Sequence, residues 1–424
     1  MRSFVVFALL TVIAAGCAVA TVDLNGYVGL DEKILTENNT NSYFWNRATL
    51  GLKAYSPISQ WVLAYGEVRF RTLDGSSALT TVDLANRDKV SPYELELREA
   101  YIDFIKFPYK FIDTRVGKQR IDWDNFDPYD LSDPLDYTEK IPTNALKFKA
   151  TLGESVLSAV AIPVFVPSLM SSNYLDYVND HVRGLTPAGQ TLSTIETSVT
   201  LPAGRTDNSM FGVRWEKKIM MFNASLSYFN GRDSIPNFNN ITFTSSGTGE
   251  VAGRATLDYP KIEVVSYDLK TELKGIGFWI KGGFYKPNNV IQQVFTPTSA
   301  ATTETPNYTK YVIGTDFSLP NGFYVNAQLV HGFFDERGGE LNNYIQARTE
   351  KILLDGSAKF TFAWLGEWQN RNVVGNLFNP ELSLYPTKDS SIAFGSYSIY
   401  GEPGSRISQW NPLDQVYLKF NYNF

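Results

Sequence analysis

The chain is poor in the residues that soluble enzymes and metal centres are built from. It has one cysteine, Cys17, in 424 residues, so neither a disulfide framework nor a cysteine metal cluster is available. Its two histidines, His181 and His331, lie far apart, and no nucleophile-elbow sequence flanks either one. After residue 20 no stretch approaches the ~20 consecutive apolar residues of a transmembrane helix. There is no excess of basic charge, since 38 Lys and Arg face 44 Asp and Glu for a net charge of -6, which argues against nucleic acid as a partner. An enzyme with a triad or a metal is therefore not expected, and no cofactor is.

What the chain does have is aromatic residues, at 14%, with 19% charged residues and a mean hydropathy of -0.18. Its start, Met1-Arg2-Ser3 followed by the apolar run 4–15, has the layout of a secretory signal peptide. Ala18-Val19-Ala20 offers a small-x-small cleavage site, which divides the chain into a leader, 1–20, and a mature part, 21–424. Lipidation at Cys17, behind Ala14-Ala15-Gly16, is the alternative. Cleavage after Ala20 is preferred, because a strand pattern begins at Val22 and leaves almost no tether.

From there apolar and polar residues alternate with a period of two, the sign of strands with one apolar and one polar face. The closing stretch DQVYLKFNYNF shows it most clearly: Val416, Leu418, Phe420, Tyr422 and Phe424 fall on one side and Tyr417, Lys419, Asn421 and Asn423 on the other. Strand-like segments fall at 22–35, 44–56, 60–73, 94–107, 111–123, 144–152, 155–166, 208–219 and 221–230. They continue at 262–273, 276–286, 308–318, 323–334, 344–354, 357–368, 381–385, 391–400 and 414–424, the pair 381–385 and 391–400 being the weakest. Short turns such as 57–59, Gly153-Glu154 and Asn321-Gly322 alternate with long polar connections. The fold class is thus all-β: a transmembrane antiparallel up-and-down β-barrel of about 18 strands, with 16 as the alternative and the short turns on one side. The closing strand is expected to pair with 22–35 and remove both free edges.

The alternation also assigns faces. Val62, Ala64, Val68 and Phe70 point to lipid, as do Val265, Tyr267, Phe360 and Phe362, and aromatics such as Trp61, Phe107, Trp215 and Trp368 recur near strand ends as interfacial girdles should. The opposite faces are charged: Arg47, Lys53, Glu67, Arg69, Arg71, Glu99, Asp103, Asp113, Arg115, Gln119, Lys147 and Lys149 are the expected pore-lining residues. So polar an interior is no dry core, because unpaired buried charges would cost several kcal/mol each. About eighteen strands enclose water. A basic wall of Arg47, Lys53, Arg69, Arg71, Arg115, Lys147 and Lys149 would attract anionic solutes; pairing with Glu67, Glu99, Asp103 and Asp113 would merely stiffen the barrel, and is favoured.

Three loops invite function. Loop 167–207 is long enough either to constrict a pore or to form an external flap. Asp122, Asp124, Asp127, Asp130, Asp133 and Asp136 crowd one stretch, but their spacing matches no calcium loop, so no metal site is expected there. The loop 288–307, rich in Thr and Asn, suits contact with a partner.

VGKQRIDWDNFDPYDLSDPLDY, residues 116–137, resembles the strand-and-loop segment of Gram-negative outer-membrane porins, in particular the 18-stranded alginate-export and substrate-specific group. LREAYIDF before it and AIPVFVPS after it resemble neighbouring segments of the same proteins, although Asp124 stands where those commonly have glycine. The resemblance implies passive, substrate-selective diffusion of small hydrophilic solutes across the outer membrane. It also implies contact with outer-membrane lipid and lipopolysaccharide, and a terminal Phe424 recognised by the barrel-assembly machinery. An adhesin or structural barrel is the alternative; a plugged importer is not expected, because no plug domain precedes the first strand.

Overall fold

The computed structural model describes residues 21–36, 43–73, 76, 78–121, 138–139, 141–170, 173–288, 291–333, 336–339 and 341–424. Residues 1–20, expected to be a leader, and the aspartate-rich stretch 122–136 lie outside the described residues.

Eighteen strands form one closed antiparallel sheet. In chain order they are β1 (Asp23–Leu35), β2 (Tyr43–Ser59), β3 (Val62–Thr72), β4 (Tyr93–Phe104), β5 (Ile112–Gln119), β7 (Thr143–Leu152), β8 (Ser155–Ile162), β11 (Met210–Ile219) and β12 (Phe222–Arg232). The other half is β15 (Lys261–Leu273), β16 (Ile276–Pro287), β19 (Tyr308–Ser318), β20 (Phe323–His331), β21 (Asn343–Leu353), β22 (Ala358–Gln369), β23 (Asn372–Thr387), β24 (Ser390–Gly401) and β25 (Gln415–Asn423). The intervening numbers belong to strands of the long connections, among them the short antiparallel pair β6 (Thr138–Glu139) and β9 (Leu169–Met170). Each barrel strand pairs with its neighbours in the chain, and β25 pairs with β1 from Tyr27↔Asn423 to Leu35↔Gln415, so no barrel edge is left free. Eighteen strands spaced ~4.8 Å apart and tilted ~40° give a backbone diameter of roughly 36 Å.

The strand count and closure agree with the sequence expectation. Two details differ. Strand β2 runs to Ser59, so its turn falls at Gln60 and Trp61 rather than at 57–59. Strand β23 spans Asn372–Thr387, not 381–385. Gly375, Pro380 and the separate asparagines Asn372, Asn376 and Asn379 interrupt its apolar alternation. The register with β24 skips from Phe378 to Glu381, so the missing N–H of Pro380 breaks no regular ladder there.

At one rim the connections are tight turns such as Lys274-Gly275, both at positive φ, as a two-residue hairpin requires. At the other rim they are long, with the single exception of Asn370-Arg371, again both at positive φ. Three of the long connections build a second layer. The strands β10 (Thr191–Thr200), β13 (Asn237–Gly247), β14 (Glu250–Asp258), β17 (Ile291–Phe295) and β18 (Ala300–Glu304) form a five-stranded sheet in the order β10-β14-β13-β17-β18. The helix Asn173–Gly184 lies on it, burying Val178 and Val182 against Phe238, Ile241, Phe243 and Val251. The loop 167–207, expected to be a constriction or an external flap, contributes that helix and β10 to this layer.

Candidate functional site: the inner wall of the barrel

Exposed apolar side chains mark the outer face of the sheet. On β2 these are Leu50 and Leu52, on β4 Leu95 and Leu97, on β12 Leu226 and on β25 Val416 and Tyr422. Because side chains alternate, their neighbours in sequence face inward. That parity puts Arg47, Lys53, Glu67, Arg69, Arg71, Glu99, Asp103, Asp113, Arg115, Gln119, Lys147 and Lys149 all on the inner face, where cross-strand partners line up as Lys53↔Glu67↔Glu99 and Asp103↔Arg115↔Lys147.

Their pairing is specific. Arg115 grips Asp103 with two hydrogen bonds, Nε to Oδ1 at 2.6 Å and Nη2 to Oδ2 at 2.9 Å, and its guanidinium lies 3.8 Å from the Tyr101 ring centre. Arg69 donates to Glu96 at 2.8 Å and Arg71 to Glu94 at 2.6 Å. Those partners differ from the ones the alternation suggested, and a β-bulge is the reason. Strict alternation along β4 cannot put both Glu96 and Glu99 inside. The register with β3 passes from Leu97 to Glu99, the extra residue being Arg98. The bulge turns Arg98 inward as well, nearly buried, with Nη1 3.6 Å from Glu96. Glu94, Glu96 and Arg98 are thus inner-wall residues that the sequence pattern conceals. Trp45, in phase with Arg47 and Lys53, is an inner-wall residue too, and both Lys33, at 3.7 Å, and Arg47, at 3.6 Å, stack on it.

Gln119 faces inward but does not line open space. It is fully buried, with Nε2 donating to the Ala145 carbonyl at 2.9 Å. Ile121 and Phe165 cover this level of the wall, packing on Ala145, Val160, Ile162 and Met210.

The opposite side of the lumen is different in kind. Ion pairs there are sparse and low on the strands, as in Arg348 with Glu350 at 2.5 Å. Higher up, Val312, Val330, Tyr344, Leu365, Leu377 and Ile399 point inward from six consecutive strands and are buried. A segment of the chain covers them. The connection 402–414, with a 3-10 turn at Ile407–Leu413, sinks Ile407, Trp410 and Leu413 into this cluster.

The two histidines lie in different parts of the fold. His331 faces outward, its ring 5.0 Å from that of Tyr311 and Nδ1 2.9 Å from Asn343 Oδ1. His181 stacks on Phe238 at 4.2 Å, where the helix meets the five-stranded sheet, and its Nε2 lies 3.2 Å from Gln292. Burial, followed by the nearby charge of Arg406, holds its pKa below the usual histidine value. Among the described residues no cluster of His, Cys, Asp and Glu could hold a metal ion.

No protein-family model matches the sequence, and no curated protein matches it. Among solved structures the chain is similar to Salmonella typhi OmpF in complex with daunomycin, at 11% identity and a TM-score of 0.45, over 95% of this chain and 97% of that one. The barrel assignment itself rests on the unbroken circle of strand pairing.

Proposed function

We propose that the protein is an outer-membrane porin, a water-filled channel for passive diffusion of small hydrophilic solutes in a Gram-negative envelope. One observation carries this: a closed barrel of eighteen strands whose outer face is apolar and exposed while its inner face is charged. In lipid every backbone polar group must be paired within the protein, and a closed sheet does that without helices. An interior holding Arg69, Arg71, Arg115 and their carboxylates belongs in water. Purified protein in planar bilayers should give discrete conductance steps, and liposomes containing it should swell in small sugars. Intact barrels that pass neither ions nor sugars would favour the adhesin alternative, for which the five-stranded outer sheet offers a contact surface.

Charge selectivity is proposed to be weak. The arginines of the expected basic wall are engaged, and the lysines Lys53 and Lys149 stand across from Glu67 and Asp113 in register. Reversal potentials near zero in a salt gradient support this; strong preference for anions would restore the basic-wall idea. The lipid contacts expected from sequence involve the same exposed belt. Deleting Phe424, whose N–H and C=O both pair with Gly26, should lower the amount of assembled barrel far more than its single-channel conductance.

A further inference from the structure

The connection 402–414 sits against the inside of the barrel wall, and the wall is shaped to receive it. Gly375 and Gly401 are cross-strand partners on β23 and β24, both facing inward. A Cβ on Gly375 would come within 2.7 Å of Ile407 Cβ, and one on Gly401 within 2.3 Å of the Ser408 backbone nitrogen. Paired glycines therefore leave a shelf one side chain deep, and the segment occupies it. Polar contacts fix it there. The fully buried Glu367 on β22 accepts from the Ile407 N–H at 2.8 Å. Asp414 Oδ1 accepts from the Ile399 N–H at 2.6 Å, and the Asn411 side chain bonds both the N–H and the C=O of Gly401, at 2.8 and 3.2 Å. Beneath these lie Ile407, Trp410 and Leu413, all buried. Gln409, between them in sequence, is exposed.

We infer that residues 402–414 form a fixed inner ledge that narrows the channel near its long-loop end and sets the size of solute admitted. The inference rests on the channel reading above. A layer of chain on a sheet adds ~10 Å of thickness, set against a backbone diameter of roughly 36 Å. The ledge thus removes a substantial part of the opening on the side of β19–β24. Loop 167–207 builds a helix and a strand of the five-stranded sheet, and the charge of Arg406 on the ledge reaches His181 of that helix; the segment seated on the barrel wall is the connection before the last strand.

Two experiments on the full-length protein test this. In the first, Gln409→Cys is made in a chain carrying Cys17→Ser and treated with a bulky thiol-specific reagent while single channels are recorded. Attachment should lower conductance by roughly a third or more, given that the ledge borders the open lumen. Complete labelling, confirmed by mass, with unchanged conductance would overturn the proposal. In the second, Gly375→Leu with Gly401→Leu fills the shelf and displaces the segment. Conductance should rise roughly 1.5-fold, with larger oligosaccharides now entering in the swelling assay. A variant that inserts, whose segment has become protease-sensitive, and which conducts as before would again overturn it. If the double variant does not fold, the cysteine experiment decides alone. A parent protein that forms no channel at all would sink the porin reading, whereas a conducting parent indifferent to both changes would sink only the ledge.

Discussion

The inner face of β2–β5 carries arginines bridged to carboxylates, whereas that of β19–β24 carries buried apolar side chains covered by a loop of the same chain. Both stretches belong to one sheet, have the same strand spacing and face the same interior. The difference lies in what each leaves in contact with water. On the first side the pairs Arg71 with Glu94 and Arg115 with Asp103 are partly exposed, so each is screened and adds little to stability, whereas Arg69 with Glu96 is largely withdrawn from water. On the second, the apolar residues are withdrawn from water by the ledge, so they contribute to stability and the polar backbone of the ledge meets the solute.

The comparison yields an ordered set of expectations. Trp410→Ala removes a 3% exposed aromatic from the ledge cluster and should cost about 3–5 kcal/mol, read as a lower urea midpoint of the detergent-solubilised barrel. A cost near zero would mean that the ledge does not pack as a core. Asp233→Asn comes next. Asp233 and Arg337 form a nearly buried pair at 2.5 Å that ties two outer connections together, and breaking it should cost about 3 kcal/mol, seen as faster proteolysis of the outer layer. Burial pushes the Asp233 carboxyl up, but the Arg337 charge and hydrogen bonds outweigh it and hold the carboxyl below its usual range. The sign follows: the native state binds the proton less readily than the unfolded chain. This contribution is fully present above the ordinary aspartate value of about 3.9 and is lost as pH falls below that through the depressed one. Protease resistance of the outer layer should accordingly drop on acidification below about pH 4. Smallest in stability is Asp103→Asn, which leaves a half-exposed Arg115 without its carboxylate. It should cost under about 1 kcal/mol, while the reversal potential moves toward anions. An Asp103→Asn variant with unchanged selectivity would show that the ladder does not face permeating ions.

The closed barrel was legible because period-two alternation is a local signal repeated in almost every strand, and it gave the count and the closure; it did not show that Gln119, expected to line the pore, is fully buried. It failed where backbone geometry broke the period. The bulge at Arg98 reverses the parity of β4, so Glu94 and Glu96 read as lipid-facing once Glu99 and Asp103 are set inside. Pro380 and Gly375 hid most of β23 for the same reason. The ledge was illegible for another: Ile407, Trp410 and Leu413 are apolar residues in a connection, and nothing local states that a connection folds into the lumen. Gly375 and Gly401 were the available hint, as inward positions with no side chain on neighbouring strands. The outer sheet likewise depends on contacts among three connections far apart in sequence.

The pairing of β1 with β25 has a kinetic side. Tyr27 and Asn423 are register partners, so the ring closes between residues at nearly opposite ends of the described chain. Every other barrel junction joins strands that follow one another around the sheet, several as tight hairpins and others across long connections such as Ile162 to Met210, but this one spans nearly the whole chain and must wait for the rest. Until then the edges of β1 and β25 are open templates for any strand that meets them. Contacts of such sequence separation slow folding, since loop-closure entropy is lost before they form. A chain of this design is therefore most prone to misassociate in the interval before its last junction seals.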